Sequence, residues 1–315
     1  MAQSKAISGG GETVALARRS RRIGLPRGDL LLAILALTPS LIAVAVFIYG
    51  FILWTGYISL VNWNDVVPDL SFRGLYNFQR LFNTDRFRID LRNTAVFGVI
   101  FIVVTLVVGF LLAVLIDQKI KAESLFRTIY LFPFAVSAVV TGVAWRWLMT
   151  PSSGLNKLFD YVGLGFLKNG WFTNPKIGII AVTLAASWQM AGYVMALYLA
   201  GLRAIPVELR EAAALDGADG IALYRHVIIP LLMPVTLTAF VILGTIVLRL
   251  FDIIATMTSS GAAYSTDTPA FFMFQTTFLS NKFSQGSAIA VVMLFLALLL
   301  VVPYMYFSRR AEAHQ

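Results

Sequence analysis

Six long apolar segments constrain this chain more than any other feature of its sequence. Spanning the hydrocarbon core of a bilayer takes about 20 mostly apolar residues, and each of the six approaches or exceeds that length. They are Leu30–Ile58, Thr94–Ile116, Thr128–Met149, Ile177–Leu202, Leu231–Met257 and Ala288–Phe307. Four of the segments contain no charged residue. The pattern predicts an all-α membrane protein with six transmembrane helices.

The composition further limits the kinds of protein to which this chain can belong. The 315 residues are 58% hydrophobic and their mean hydropathy is +0.79, which is too apolar for an ordinary soluble domain. The chain has no cysteine, which excludes thiolate metal sites, disulfides and cysteine catalysis. Its two histidines, His226 and His314, are too few and too isolated for a metal site. The first segment is too long for the apolar region of a signal peptide, so we expect a retained helix.

The net charge of +9 is explained better by membrane topology than by nucleic-acid binding. Six of the 25 lysines and arginines precede the first segment, and the positive-inside rule places that end in the cytoplasm. Six spans return the C-terminus to the cytoplasm as well. This topology puts 14 lysines and arginines inside and nine outside. We therefore expect a multi-pass membrane protein with both termini in the cytoplasm and no nucleic-acid partner.

The chain divides into three predicted parts. Residues 1–29 form a basic cytoplasmic tail that contacts anionic lipid, and residues 308–315 form a C-terminal cytoplasmic tail. Residues 30–307 form the membrane domain, in which the polar segment 203–229 is a cytoplasmic loop.

The loop 203–229 has its own local structure in the sequence. Glu208 to Leu215 are good helix formers, and the acidic residues near the start favour the helix dipole. Gly217 stands where this helix should end in a left-handed cap. We expect Leu215, Ile221 and Tyr224 to anchor the turn by apolar contacts. Taken alone, the same pattern would also suit an amphipathic helix at the membrane surface.

The loop also carries a motif. Glu211-Ala212-Ala213, then Asp216-Gly217-Ala218, and then Ile228 and Pro230 resemble the EAA motif of bacterial ABC-importer permeases, which forms a coupling helix between helices 4 and 5. The resemblance assigns contact with an ATP-binding subunit to Glu208, Glu211, Ala212, Ala213, Asp216, Gly217, Ala218 and Tyr224.

The resemblance extends from about Leu30 to Phe307 and points to the sugar-importer permeases of the maltose, glycerol-phosphate and lactose type. The stretch Phe72–Phe78, followed by Asn93-Thr94, is similar to the larger-subunit class of that family. Trp145–Leu148 and Leu250–Ile254 are similar to its middle and to its fifth helix. The sequence departs from the family at Ser259–Ala262, where a Gly-Gly-Pro turn is usual, which leaves the geometry of that outer loop open.

The resemblance implies a transporter subunit of a bacterial or archaeal cytoplasmic (inner) membrane, with no ATPase site of its own. Such a permease forms half of a translocation pathway and couples it to ATP hydrolysis on a separate subunit. The implied partners are a second permease subunit in a heterodimer, a dimer of ATP-binding subunits, an extracytoplasmic solute-binding protein and membrane lipid. The chain itself is expected to bind no cofactor or metal, since ATP and Mg belong to the partner ATPase. No phosphate-binding loop occurs in the sequence.

Polar residues inside the apolar segments are candidates for the substrate path, because such residues tend to face the bundle interior or a water-filled path. Trp188 and Gln189 lie near the middle of the fourth segment, and Tyr193 follows one turn later. Packing between helices explains them equally well. Arg249 and Asp252 are three residues apart and are expected to share a helix face. We expect a structural or gating role for them, with direct substrate contact as the alternative.

Two other classes compete with the ATP-driven importer. A secondary transporter normally needs titratable groups or ion sites in the membrane, and Asp252 beside Arg249 suits that poorly. A membrane enzyme would need a convergent acid, base and nucleophile, which the sequence lacks. The substrate also stays open between a sugar or polyol and another polar solute such as a glycerol phosphodiester.

Overall fold

Helices make up most of the part that the computed structural model describes, residues 27–118, 120–218 and 220–312. Its fourteen α-helices are α1 Arg27–Val44, α2 Phe51–Ser59, α3 Tyr76–Phe82, α4 Asp85–Asp117, α5 Glu123–Ala135, α6 Ala138–Leu148, α7 Gly154–Tyr161, α8 Gly178–Ala204, α9 Val207–Leu215, α10 Gly220–Leu223, α11 Ile229–Leu231, α12 Met233–Leu248, α13 Pro269–Phe274 and α14 Phe283–Glu312. Short π-helical and 3₁₀ turns join several of them. Among the described residues, β pairing is limited to one bridge between Val61 and Phe72. The all-α prediction is confirmed.

Four helices are long and apolar enough to cross a membrane. They are Ile34–Ser59, Asp85–Asp117, Gly178–Ala204 and Phe283–Pro303. Two further helix pairs pass the same test together but are sharply bent, so the described residues contain up to six spans by length and composition. The count of exactly six therefore stays a prediction.

The third predicted span, Thr128–Met149, is not one straight helix. Helices α5 and α6 meet at an angle of 98°. Val136 between them is extended, with φ −79° and ψ 137°, and the Ser137 hydroxyl accepts a hydrogen bond from the backbone N–H of Val140 at 3.3 Å. A serine that caps the N-terminus of a helix favours a fresh start at that position. The apolar run predicted the segment but not the break inside it.

The fifth predicted span, Leu231–Met257, is also interrupted. The helical segment that ends at Leu231 bends by 66° into α12, between Pro230 and Pro234, and a proline inside a helix removes a backbone donor. Helix α12 then ends at Leu248, and a separate π-helical turn covers Ile254–Thr258. The apolar run predicted this segment but not the interruptions within it.

The chain separates into two units, up to Ile52 and from Leu53 onward. In the second unit, α4 and α8 pack along each other, and they form the centre of the apolar core. An added Cβ at Gly109 of α4 would lie 2.6 Å from the side chain of Val194 on α8. The absence of a side chain at Gly109 therefore permits this close helix contact.

The predicted N-terminal tail falls largely outside the described residues, whereas most of the predicted C-terminal tail lies within them. Of the tail 1–29, residues 1–26 lie outside them, and α1 already begins at Arg27. Helix α14 extends through most of the predicted tail 308–315, as far as Glu312, and residues 313–315 lie outside the described part.

Candidate functional site

A cavity of about 350 Å³ lies where α8 passes the break after α12. Its polar lining residues are Gln189 from α8 and Arg249 and Asp252 from the interrupted fifth segment. Apolar walls come from residues such as Met190 and Ile246. The structure thus brings three of the five predicted path residues to one cavity. A mostly apolar hollow with a few polar groups is the usual form of a small-molecule site.

Gln189 has a second role that its position in the sequence did not reveal. Its Nε2 donates a hydrogen bond to the carbonyl oxygen of Val136 at 2.7 Å, the residue at the bend between α5 and α6. A helix break frees backbone groups, and in a membrane these must find partners within the protein. Gln189 therefore supports the bend and lines the cavity at the same time.

Trp188 and Tyr193 lie outside the lining of this cavity. The Trp188 ring makes an edge-to-face contact with Trp145 of α6, with 5.9 Å between ring centroids. The Tyr193 ring stacks on Phe134 of α5 at 4.8 Å. Both contacts are aromatic packing between neighbouring helices, which agrees with the packing interpretation of these two positions.

Arg249 and Asp252 do not share a helix face as expected. Helix α12 ends at Leu248. Its C-cap residue, Arg249, has φ −105° and ψ 18° and so lies outside the helix. Arg249 and Asp252 do not form an ion pair with each other within the described part of the chain. The rule of three-residue spacing holds only along an intact helix, and the break removes that condition.

The segment 203–229 starts with the last residues of α8 and then contains the helix α9, whose end has the left-handed cap that the sequence predicts. Gly217 has φ +78°, its N–H bonds the carbonyl of Ala214 at 3.1 Å, and the N–H of Ala218 bonds that of Ala213 at 2.9 Å. These two bonds form a Schellman motif, for which glycine is the favoured residue. Open space surrounds Gly217, so backbone conformation rather than crowding requires it.

Most of the predicted coupling residues lie on the surface of this segment. Ala213 is buried, while Ala218 and Tyr224 are half-buried. The exposed members are Glu208, Glu211, Ala212, Asp216 and Gly217.

The expected apolar anchors of the turn are only partly correct. Leu215 and Ile221 are 89% and 86% exposed, so neither anchors the loop within this chain. Tyr224 does pack inward, with its ring 6.3 Å from that of Phe110 on α4. Leu215 is the last residue of α9 and Ile221 lies in α10, so each helix carries a large apolar side chain that stays exposed.

A network of ion pairs fastens α9 to the membrane helices, and the sequence interpretation did not identify it. Arg210 of α9 donates from Nη1 to Asp117 at the end of α4, at 3.0 Å, and from Nη2 to the carbonyl of Leu202 at 2.8 Å. Arg203 donates to Glu123 at the start of α5, at 2.6 Å. The signal in the sequence was the presence of Asp117 and Arg203 directly after two of the apolar segments.

Comparison with known proteins places these features in context. Residues 106–312 match the family described as binding-protein-dependent transport system inner membrane component. A probable ABC transporter permease protein of Pyrococcus horikoshii is 44% identical over 90% of this chain and 98% of its own length. A xylose/arabinose import permease protein of Haloferax volcanii is 33% identical over 85% of this chain and 84% of its own length.

A solved structure shares the fold. The structure of a bacterial ABC transporter involved in the import of the acidic polysaccharide alginate superposes with a TM-score of 0.75 and 22% identity, covering 90% of this chain and 96% of that chain. At this identity the likeness concerns the arrangement of helices.

Proposed function

The chain belongs to the family of binding-protein-dependent transport system inner membrane components, which makes it a permease component of an ABC importer, and we propose that it carries a sugar or a related polyol. The named relatives support this substrate class, since they include the xylose/arabinose permease and a trehalose/maltose permease protein of Thermococcus litoralis that is 29% identical. A glycerol-phosphate permease of Rhizobium meliloti, 28% identical, keeps a phosphorylated polyol as the second candidate.

The cavity beside Gln189 carries this proposal. It is lined by an amide, a guanidinium and a carboxylate from Gln189, Arg249 and Asp252. A polyol presents hydroxyl groups that both donate and accept hydrogen bonds, and these three side chains offer donors and acceptors. In the proposed assembly a second permease subunit supplies the other half of the path.

The proposed coupling mechanism uses α9 and the exposed side chains around it. A dimer of ATP-binding subunits holds ATP and Mg²⁺ and grips the surface formed by Glu211, Leu215 and Ile221. Closure of that dimer moves α9, and the ion pairs of Arg210 and Arg203 pass the movement to α4, α5 and α8. The cavity then changes its access from one side of the membrane to the other.

The proposed orientation puts both termini and the segment 203–229 in the cytoplasm. The excess of lysine and arginine on that side supports it, 14 against nine. Reporter fusions at Pro68, Asp160 and Asp267 should then give an external signal, and fusions at Lys121 and Asp219 a cytoplasmic one. Asp219 lies outside the described residues. An external signal at Asp219 would contradict the coupling mechanism.

Reconstitution tests the function directly. The chain is purified with the second permease and the ATP-binding subunits encoded beside it and placed in proteoliposomes with the neighbouring solute-binding protein. Uptake is measured with labelled pentoses, disaccharides, sugar alcohols and glycerol phosphodiesters. We expect uptake of a carbohydrate that needs both ATP and the binding protein. Uptake driven by an ion gradient without ATP would instead identify a secondary transporter.

A further inference from the structure

A polar pocket lies at the end of the bundle opposite to α9. Arg86 stands in the first turn of α4 and Asp117 at its last residue, so the 33 residues of this helix separate them by about 50 Å. Because Asp117 binds Arg210 of α9, the surroundings of Arg86 are remote from the proposed coupling segment. In the proposed orientation this end faces outward.

The pocket has a volume of about 370 Å³ and mostly polar walls. Its polar lining residues are Arg86, Gln275, Thr276, Ser280, Lys282 and Gln285. Two of these are cations and none is an acid. Because Asp267 already pairs with Arg86, it is chiefly the charge of Lys282 that favours an anionic group.

Arg86 is held rigidly in the wall of this pocket. Its Nε donates to Asp267 at 2.6 Å and its Nη2 to Gln275 at 2.5 Å. Its guanidinium lies over the rings of Tyr264 and Phe272, 4.6 and 4.4 Å from their centroids. Burial raises the pKa of the Asp267 carboxyl, while hydrogen bonding and the charge of Arg86 oppose that shift. A guanidinium has five N–H donors, so donors remain beyond these two contacts.

Several polar side chains that line the pocket make no hydrogen bond or ion pair within the described part of the chain. Gln285 and Thr276 are largely buried residues, at 7% and 5% exposed, and they line the pocket. The described side-chain hydrogen bonds include none from the Gln285 amide or the Thr276 hydroxyl. Lys282 likewise makes no ion pair with a described residue. These groups are therefore available to bond a group that enters the pocket from outside the chain.

We propose that this pocket receives the carboxylate of an acidic side chain from the solute-binding protein when that protein docks on the bundle. A fixed guanidinium beside an ammonium is suited to a carboxylate, because charge-assisted hydrogen bonds are the strong ones. The pocket lies at the end where, in the proposed function, the solute arrives, and the inference rests on that function. A structure of the alginate transporter was obtained in complex with its oligosaccharide-bound periplasmic protein, so docked complexes of this fold can be studied.

Lys282 is the residue to change in the test, because Arg86 also supports the buried Asp267. Binding of the neighbouring solute-binding protein to the nanodisc-embedded complex is measured at low and high salt. Lys282→Glu should weaken binding about tenfold or more and flatten its salt dependence, as expected when one partner of a close charge pair is reversed. Lys176→Glu is the matched control, since Lys176 is exposed and precedes α8 at the same end. It should change binding much less.

Exchanging the charges of the two partners identifies the acidic residue of the solute-binding protein that pairs with Lys282. Each aspartate and glutamate on the binding protein is replaced by lysine and tested against the Lys282→Glu complex. One such variant should recover most of the lost affinity. The inference is overturned if Lys282→Glu binds like the wild type, if Lys176→Glu loses as much, or if no exchange restores binding.

Two further outcomes distinguish a failure of this inference from a failure of the proposed function on which it rests. If the wild-type complex shows no uptake that depends on the binding protein, the proposed function itself fails. If wild-type uptake is normal, while Lys282→Glu alters only an effect of added phosphate and leaves binding-protein affinity unchanged, the pocket serves a free anion. In that case only the assignment to the binding protein is wrong.

Discussion

The guanidinium of Arg210 and the carboxylate of Asp117 lie 3.0 Å apart and join α9 to the end of α4. Their side chains are 31% and 12% exposed, so water screens this pair less than a surface pair. Arg210 also bonds the Leu202 carbonyl near the end of α8. A short helix with few contacts of its own is thereby fastened to two long helices of the bundle, and its displacement must move them or break these bonds.

The first prediction follows from this pair. Arg210→Ala should preserve ATP hydrolysis but lower the solute transported per ATP, because α9 would move without pulling α4. Asp117→Arg combined with Arg210→Asp should recover part of the loss, with a coupling energy of about 1 kcal/mol in a double-mutant cycle. Proteoliposomes that report both hydrolysis and uptake measure the ratio. Arg225→Ala, an exposed arginine on the same segment, is the control. Equal ratios in Arg210→Ala and Arg225→Ala would disprove the transmitting role.

The second prediction concerns Gly217, whose φ is +78°. Valine there should cost on the order of 1–2 kcal/mol, the penalty of a left-handed conformation, and should unwind the end of α9. We expect normal insertion but reduced uptake. Asparagine tolerates this conformation better, so Gly217→Asn should stay close to the wild type. If valine and asparagine reduce uptake equally, the loss stems from the added side chain and not from the backbone.

The third prediction concerns Glu211, which is exposed on α9. Glu211→Lys reverses the charge at the proposed docking surface, so the ATP-binding subunit should co-purify poorly and uptake should fall sharply. Glu211→Gln removes the charge while keeping the shape, and we expect a smaller loss. Co-purification in detergent followed by uptake in proteoliposomes provides the measurement. Normal assembly and normal uptake in Glu211→Lys would show that this surface is not the docking site.

The fourth prediction separates the two neighbouring path candidates. Gln189→Leu removes a polar wall of the cavity and leaves the Val136 carbonyl without its partner, at a cost of about 1–3 kcal/mol. We expect lower uptake and an altered order of preference among the solutes. Trp188→Ala removes the contact with Trp145 and should lower the thermal stability while the order of preference stays the same. A change of preference in Trp188→Ala alone would reverse the assignment of these two residues.

The fifth prediction tests the packing that positions the cavity. An added Cβ at Gly192 of α8 would lie 1.8 Å from the carbonyl oxygen of Tyr130 on α5. A backbone atom cannot rotate away, so Gly192→Ala should force the two helices apart and lower the melting temperature of the purified complex by several degrees. Gly56→Ala is the control, because nothing lies within 4 Å of its added Cβ. An unchanged melting temperature in Gly192→Ala would mean that α5 and α8 can move apart without a loss of stability.

Sequence reasoning succeeded where the signal was local. Hydrophobic runs predicted helices because a membrane imposes a length and an apolar composition on each span. Gly217 predicted the end of α9 because a left-handed cap strongly favours glycine. Sequence reasoning failed at Arg249 and Asp252. Their three-residue spacing suggested one helix face, but helix α12 ends at Leu248, before both residues. The prediction that Leu215 and Ile221 anchor the turn failed for another reason. An apolar residue in a sequence does not reveal whether the surface that it contacts lies in the same chain.

The sequence by itself determined the all-α membrane class, the family of transport permeases and the left-handed cap at Gly217 that follows α9. These three properties can be read from short stretches of sequence, because they depend on residues that are neighbours in the chain and on whether lipid or water surrounds them. Only the tertiary structure decided that Gln189, Arg249 and Asp252 meet at one cavity, that Arg210 binds Asp117, and that Arg86 and Lys282 share a pocket. Those relationships join residues far apart in the chain, and they depend on the bends after Val136 and Leu231 and on the direction in which each helix face points. No periodicity along one sequence encodes that direction, because it is set by how the helices pack against one another.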